Sequence, residues 1–244
     1  MRIALVALIV VAGFLGNAAG ARAYQCYDVK ATIVGTKHDD KLHGTSGRDV
    51  IVGLGGDDVI WGLDDSDRLC GNGGNDKLVA GAGVDQVDGG TGRNVLKGGS
   101  GDDRLYGGPS VDSFWPGLGN DVVDGRGTPD REWVHYDYAH GPVSIDLDTG
   151  HVTGEGTDIL VAIRDIVGSR FADVIKGDEY DNVFRLGKGN DRGVGHGGSD
   201  TLLGGPGSDD LDGGSGTNTN DGGDGTDTCV NPQPSAGAQH CESP

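Results

Sequence analysis

Much of what marks common functional classes is scarce in this chain. Aromatic residues make up only 5% of it, and 19 basic residues face 38 acidic ones, for a formal net charge of −19. A chain this acidic is excluded from binding nucleic acid or an anionic membrane unless a cation bridges the two. Beyond Leu15 no stretch is apolar enough to span a bilayer, so membrane insertion is not expected. No HExxH helix and no GxSxG elbow is present, which removes the usual zinc-protease and serine-hydrolase signatures. Cysteine occurs four times, never as CxxC, which argues against a structural zinc site. An acidic chain poor in aromatics commonly stays disordered. Here, however, the acids are not in blocks.

They recur every nine residues. Ten units follow without a break from Gly35 to Asp124, beginning at Gly35, Gly44, Gly53, Gly62, Gly71, Ala80, Gly89, Gly98, Gly107 and Pro116. The pattern is G-G-x-G-x-D-x-U-x, with U apolar, and Gly98 to Tyr106 is its clearest copy. Position 6 is Asp40, Asp49, Asp58, Asp67, Asp76, Asp85, Asn94, Asp103, Asp112 and Asp121. Position 8 is always apolar: Leu42, Ile51, Ile60, Leu69, Leu78, Val87, Leu96, Leu105, Phe114 and Val123. Positions 1 to 6 are turn formers, and positions 7 to 9 alternate polar, apolar, polar, as a short strand does. Two units, turn–strand–turn–strand, close one coil of 18 residues. Coils then stack at strand spacing, ~4.8 Å apart.

Stacking places position-6 residues of like parity above one another. One row is Asp40, Asp58, Asp76, Asn94, Asp112, and the other is Asp49, Asp67, Asp85, Asp103, Asp121. Rows of like charge need a cation, and carboxylate and carbonyl oxygens are hard ligands suited to calcium. Magnesium wants strict octahedral geometry and keeps its waters, and softer metals want His or Cys, which the rows lack. One apolar residue in nine is also a thin core for a chain with 49 glycines, so metal binding is a needed source of stability.

The nonapeptide resembles the RTX (haemolysin-type) calcium-binding repeat over residues 35–124 and 168–230. The resemblance implies a β-roll in which position-6 Asp side chains bind Ca2+ between turns. RTX proteins usually carry a C-terminal export signal and lack cysteine. This chain instead resembles small secreted proteins built almost wholly of the repeat.

The fold expected is therefore all-β: a parallel β-roll or β-solenoid in two arrays with a longer-coil β insert. The divisions are a signal peptide (1–23), an N-terminal cap (24–34), a first array (35–133), an insert (134–167), a second array (168–230) and a C-terminal cap or tail (231–244). The leader rests on Arg2, the apolar run Ile3 to Leu15, and Ala21-Arg22-Ala23 as a cleavage site. In the insert, strands are expected over 133–138, 143–147 and, with a break, 159–167. The unit at Gly125 keeps Asp130 at position 6 but puts Glu132 at position 8. In the second array position 6 reads Asp173, Asn182, Asp191, Asp200, Asp209, Asn218 and Asp227, and the aspartates are candidate ligands. Its position 8 includes Gly193 and Asn220, so a poorer core and earlier melting are expected over 186–222. Of three possible cysteine pairings, Cys26 with Cys70 and Cys229 with Cys241 are favoured.

These residues point to a secreted, extracellular, non-catalytic calcium-binding protein that folds on Ca2+. The alternatives are a surface adhesion module with contacts in the insert 126–167, its protein or polysaccharide partner unknown, and a hydrolase built on Glu132, His135 and His140. Position 9 shows no aromatic stripe for polysaccharide stacking; Trp61, Tyr106 and Trp115 could mark a local patch, but an isolated outward aromatic needs no function.

Overall fold

Alternation decides the architecture. In a computed structural model, which describes residues 25–126, 131–231 and 238–242, each unit's strand turns positions 8 and 1 inward and positions 7 and 9 outward. The expected leader over 1–23 and Asp130 lie outside the described residues. Odd and even units separate into two sheets, as the 18-residue coil requires. Sheet I has ten strands, among them Lys41–His43, Val59–Asp64, Lys77–Ala82, Val95–Ser100, Ser113–Leu118 and Trp133–His135. Sheet II has thirteen, among them Val50–Gly55, Arg68–Gly73, Gln86–Thr91, Arg104–Tyr106 and Val122–Asp124. Leu78 lies opposite Leu96 and Leu96 opposite Phe114 in sheet I, while Leu69, Val87 and Leu105 follow one another in sheet II. Position 8 of both sheets meets between them as one continuous buried core.

The insert continues the roll but departs from the expected strands in places. Trp133–His135 ends sooner, while the expected break in 159–167 is present and divides Thr157–Val161 from Asp165–Val167, which belong to different sheets. An unexpected strand, His151–Thr153, runs antiparallel between Ser144–Asp146 and Thr157–Val161. The register also moves by two residues: Val134, not Glu132, stands beside Phe114 in the core. Glu132 therefore takes the place of a position-6 residue. Sheet II leaves the first array through Thr157–Val161 and re-enters the second through Ser144–Asp146, so the reversed strand splices two parallel stacks.

In the second array the void expected at Gly193 is filled. Position 1 of the same unit is Leu186, fully buried, and a Cβ on Gly193 would meet its Cδ1 at 3.1 Å. The large side chain has moved from position 8 to position 1, and both point inward. Leu186→Ala should therefore cost ~2–5 kcal/mol, read as a lower urea midpoint in saturating calcium. A loss under ~1 kcal/mol would mean the coil collapses onto the space. Asn220 is buried too, and its Nδ2 donates to the Val230 carbonyl at 2.8 Å.

Both ends are stapled. The hairpin Gln25–Cys26 and Val29–Lys30 folds over the outside of sheet II, where Cys26 is buried with Val50, Val52 and Cys70 and bonded to Cys70. At the other end Gln239 bridges to Asp221 and Glu242 to Thr228, and Cys241 is bonded to the core residue Cys229. The bonds close 44 and 12 residues of chain, each stabilising by about 3–4 kcal/mol on loop entropy.

Candidate metal centre

The position-6 side chains form two ladders inside the turns. In each rung, Oδ1 accepts the backbone N–H of the position-6 residue one coil earlier. Asp40 N–H donates to Asp58, Asp58 to Asp76, Asp76 to Asn94 and Asn94 to Asp112, at 2.7–2.9 Å. On the other edge the succession is Asp49, Asp67, Asp85, Asp103 and Asp121. In the second array Asp173, Asp191, Asp209 and Asp227 form one ladder, and Asn182, Asp200 and Asn218 the other.

Three residues outside the expected set join the ladders. Glu132 Oε2 accepts the Asp112 N–H at 2.5 Å, Asp158 Oδ1 accepts that of Asp121 at 3.0 Å, and Glu242 Oε2 accepts that of Asp227. Only the register shift in the insert and the fold-back of the tail bring them there, and neither shows in a nonapeptide pattern.

The second carboxylate oxygen tells more. In Asp58, Asp67, Asp76, Asp85, Asp103, Asp112, Asp121, Asp191, Asp200, Asp209 and Asp227, Oδ2 is buried with no hydrogen-bond partner. Orphaned charged oxygens inside a protein cost several kcal/mol each unless something neutralises them. In the units that begin with glycine, those of Asp58, Asp67, Asp76, Asp103, Asp112, Asp200, Asp209 and Asp227, Oδ2 faces that position-1 glycine, whereas Ala80, Pro116 and Leu186 stand there in the units of Asp85, Asp121 and Asp191. A Cβ on Gly53 would collide with Asp58 Oδ2 and lie 2.9 Å from the carbonyl oxygen of Gly71, one coil on. The missing side chain leaves a space walled by a carboxylate and a main-chain carbonyl.

The asparagines mark what that space attracts. Asn94 Nδ2 donates to the Gly92 carbonyl, and Asn218 Nδ2 to the carbonyls of Gly214 and Asn231. The positive end of each amide reaches the carbonyl oxygens that a cation would gather in an aspartate unit. Among the described residues no three His, Cys, Asp or Glu side chains converge as a metal-binding group. A cation here would be held by one or two carboxylates and by carbonyls, an all-oxygen set that fits calcium.

The opening units solve the same problem without a cation. Thr36 gives both its N–H and its hydroxyl to Asp40 Oδ2, at 2.6 and 2.9 Å, and Thr45 does the same for Asp49. Ser169 caps Asp173, and Tyr136 donates its hydroxyl to Asp158 Oδ2 at 2.9 Å. Further in, position 2 swings to positive φ, even at Leu54 (85°), Leu63 (90°) and Asn72 (73°). The hydroxyl cap is then lost.

Without a cation, burial pushes these acids up, opposed by the N–H each accepts and aided by neighbouring carboxylates. Asp103 rises to about 8, Asp121 and Asp191 to about 7, and Asp58, Asp67, Asp76, Asp112, Asp200 and Asp209 to about 6. Burial raises Asp85 and Asp173 as well.

Glu132, His135 and His140 are not brought together. Glu132 lies inside the turn, whereas His135 and His140 line an outward cleft.

A family model described as the RTX calcium-binding nonapeptide repeat (4 copies) matches residues 34–69, 61–96, 88–123, 167–202 and 194–229. No curated protein matches the chain. The matched segments coincide with the two arrays and together span more than half of the sequence, and repeats of this kind bind Ca2+. The chain belongs to the RTX calcium-binding nonapeptide repeat family.

Proposed function

We propose that this is an extracellular, non-catalytic protein whose fold is completed by calcium held along the two ladders. The carrying observation is the run of orphaned Oδ2 atoms, which at Asp58, Asp67, Asp76, Asp103, Asp200, Asp209 and Asp227 face a carbonyl across the position-1 space. The ligands we assign are Asp58, Asp67, Asp76, Asp85, Asp103, Asp112, Asp121, Asp191, Asp200, Asp209 and Asp227. Asp40, Asp49 and Asp173, whose carboxylates are capped by Thr or Ser, start three of the four stacks, and Asn182 starts the fourth. Binding free energy then appears as folding free energy. Two disulfides support an oxidising, calcium-rich compartment, as the leader-like residues 1–23 do.

Asp103→Asn tests the assignment. The amide keeps the Oδ1 that accepts the Asp85 N–H and removes the charge, as Asn94 does in its own unit. Calorimetric titration should show at least one calcium fewer, while the metal-free variant at pH 7.5 gains stability over the wild type. An unchanged stoichiometry would remove Asp103 from the ligand set. Unchanged stoichiometry in Asp67→Asn and Asp191→Asn too would overturn the assignment.

A further inference from the structure

The two outer faces of the roll differ. Separated by sheet, position 9 of sheet I reads His43, Trp61, Val79, Lys97, Trp115, then His135, Val167, Arg185 and Leu203, each beside the next. All three tryptophans of the chain stand on this face, since Trp133 is at position 7 of the same sheet. The stripe that looks absent when units are read consecutively is present once the two sheets are taken apart.

The rings are organised. His43 stacks on Trp61 at 4.2 Å between centroids and His135 on Trp115 at 4.0 Å, both nearly parallel. Lys97 Nζ sits 4.6 Å from the Trp115 ring centre and 5.4 Å from that of Tyr138, and Arg185 covers Trp133 at 4.7 Å. Lys97, Trp115, Leu118, His135 and Tyr138 line a shallow cleft of about 260 Å³, where Tyr138 is 71% exposed.

At positions 7 and 9 this face carries more cations than acids, unlike the molecule as a whole. Its outward positions carry Lys41, Lys77, Lys97 and Arg185. The two acids at these positions are both paired, Asp165 with Arg131 and Asp221 with His240, and Asp64 and Asp224 lie exposed toward the strand ends. At the cleft's rim Asp137 accepts the Trp115 indole N–H, and Glu155 is held by His140. Sheet II carries more acids at these positions, Asp88, Asp124, Asp146, Asp210 and Asp212, of which Asp88, Asp146 and Asp210 pair with Arg126, Lys176 and Arg192, and the N-terminal hairpin covers part of it.

We propose that the outer face of sheet I binds a uronic-acid polysaccharide, with Trp61, Trp115 and Trp133 as stacking platforms and Lys77, Lys97 and Arg185 as carboxylate partners. Flat ring faces on a rigid sheet suit the apolar faces of sugar rings. The rungs repeat at about 4.8 Å, close to one sugar residue. One cation on each of the Lys77 and Lys97 rungs, flanked by the Trp61 and Trp115 rungs, suits a polymer with one carboxylate every sugar or two rather than dense sulfates. The sequence alone places adhesive contacts in the insert, but the surface belongs jointly to the first array and the insert. It depends on the calcium-folded roll, so folding is checked first.

The probe is hyaluronan, a soluble uronate chain, titrated into the full calcium-loaded protein whose circular dichroism shows the β fold. Tryptophan fluorescence and affinity electrophoresis report binding, with neutral dextran and heparin in parallel. The expected result is a fluorescence change with hyaluronan that dextran does not give. Affinity should fall ~10-fold in Trp115→Ala and severalfold in Lys97→Gln, and stay unchanged in Arg104→Gln on sheet II. If Trp115→Ala disturbs the fold, Lys97→Gln with Arg185→Gln carries the test. No hyaluronan binding by the folded protein, equal binding of dextran, tighter binding of heparin, or a Trp115-dependent dimer instead of polysaccharide binding would each overturn it. A protein that does not fold in calcium would refute the calcium reading before this one is reached.

Discussion

Freed of calcium at pH 7.5, the protein should lose most of its β signal in far-UV circular dichroism, and regain it either with calcium or with acid. The acid arm follows from the raised carboxylates. Nine of them rise to between about 6 and about 8 in the fold, against 3.8 in an exposed chain. A group whose value is raised by folding stabilises the fold below its unfolded value, and that contribution disappears as pH climbs through the folded value. Each such carboxylate, ionised at pH 7.5 and raised from 3.8 to about 6, works against the fold by about 3 kcal/mol. A few of these exceed the ~5–15 kcal/mol net stability of a typical domain. The metal-free chain should therefore be most stable near pH 4, lose stability progressively as pH rises above the unfolded value, and reach its full loss by roughly pH 6 to 8. Calcium takes the place of the protons, so its apparent affinity should weaken as pH falls through the same window. Magnesium should not substitute at equal concentration. A metal-free sample with an unchanged spectrum from pH 4 to 8 would show that the ladders are not what decides folding.

Gly101→Val should cost about 4 kcal/mol or more even in saturating calcium, while Gly47→Ala, at the same position of another unit, should stay within ~0.5 kcal/mol. Gly101 has φ +117°, which L side chains rarely adopt, and a Cβ there would run into the carbonyl group of Gly83 in the coil below. Neighbouring backbone cannot move aside without breaking the strand register on both sides. The added strain and overpacking are each ~1–3 kcal/mol. Gly47 belongs to an opening unit, and a Cβ on it would meet only Thr45 Oγ1, at 3.9 Å. Urea unfolding of both variants in calcium gives the comparison. Equal midpoints would mean that coils can part without loss.

The roll was legible because its signal is periodic. Position 8 and position 6 lie one strand residue apart from a fixed turn, so the core and both ladders follow once 18 residues are taken as a coil. What escaped is what breaks the period. The two-residue shift that puts Glu132 beside Asp112 happens where the nonapeptide has already failed. The antiparallel strand His151–Thr153 is three residues long and has no repeat to announce it. The exchange of Leu186 for Gly193 is invisible to a rule that looks for apolar residues only at position 8, although position 1 shares its inward face. The Thr36, Thr45 and Ser169 caps had a signal: a hydroxyl at position 2, where later units of the first array have Gly, Leu or Asn. The tryptophan face required only that the two parities be read apart.

The 18-residue coil also governs how such a chain can change its length. Each coil touches only the coils above and below it, so duplication of a whole coil adds a layer and leaves the rest of the stack undisturbed. Duplication of a single nonapeptide would send every later unit to the opposite sheet. The aromatic and acidic outer faces would then change sides partway along the roll, and Trp115 would part from Lys97. Heritable growth in this architecture should therefore come in even numbers of nonapeptides, and an odd step would survive only beside an irregular splice such as the one between the two arrays.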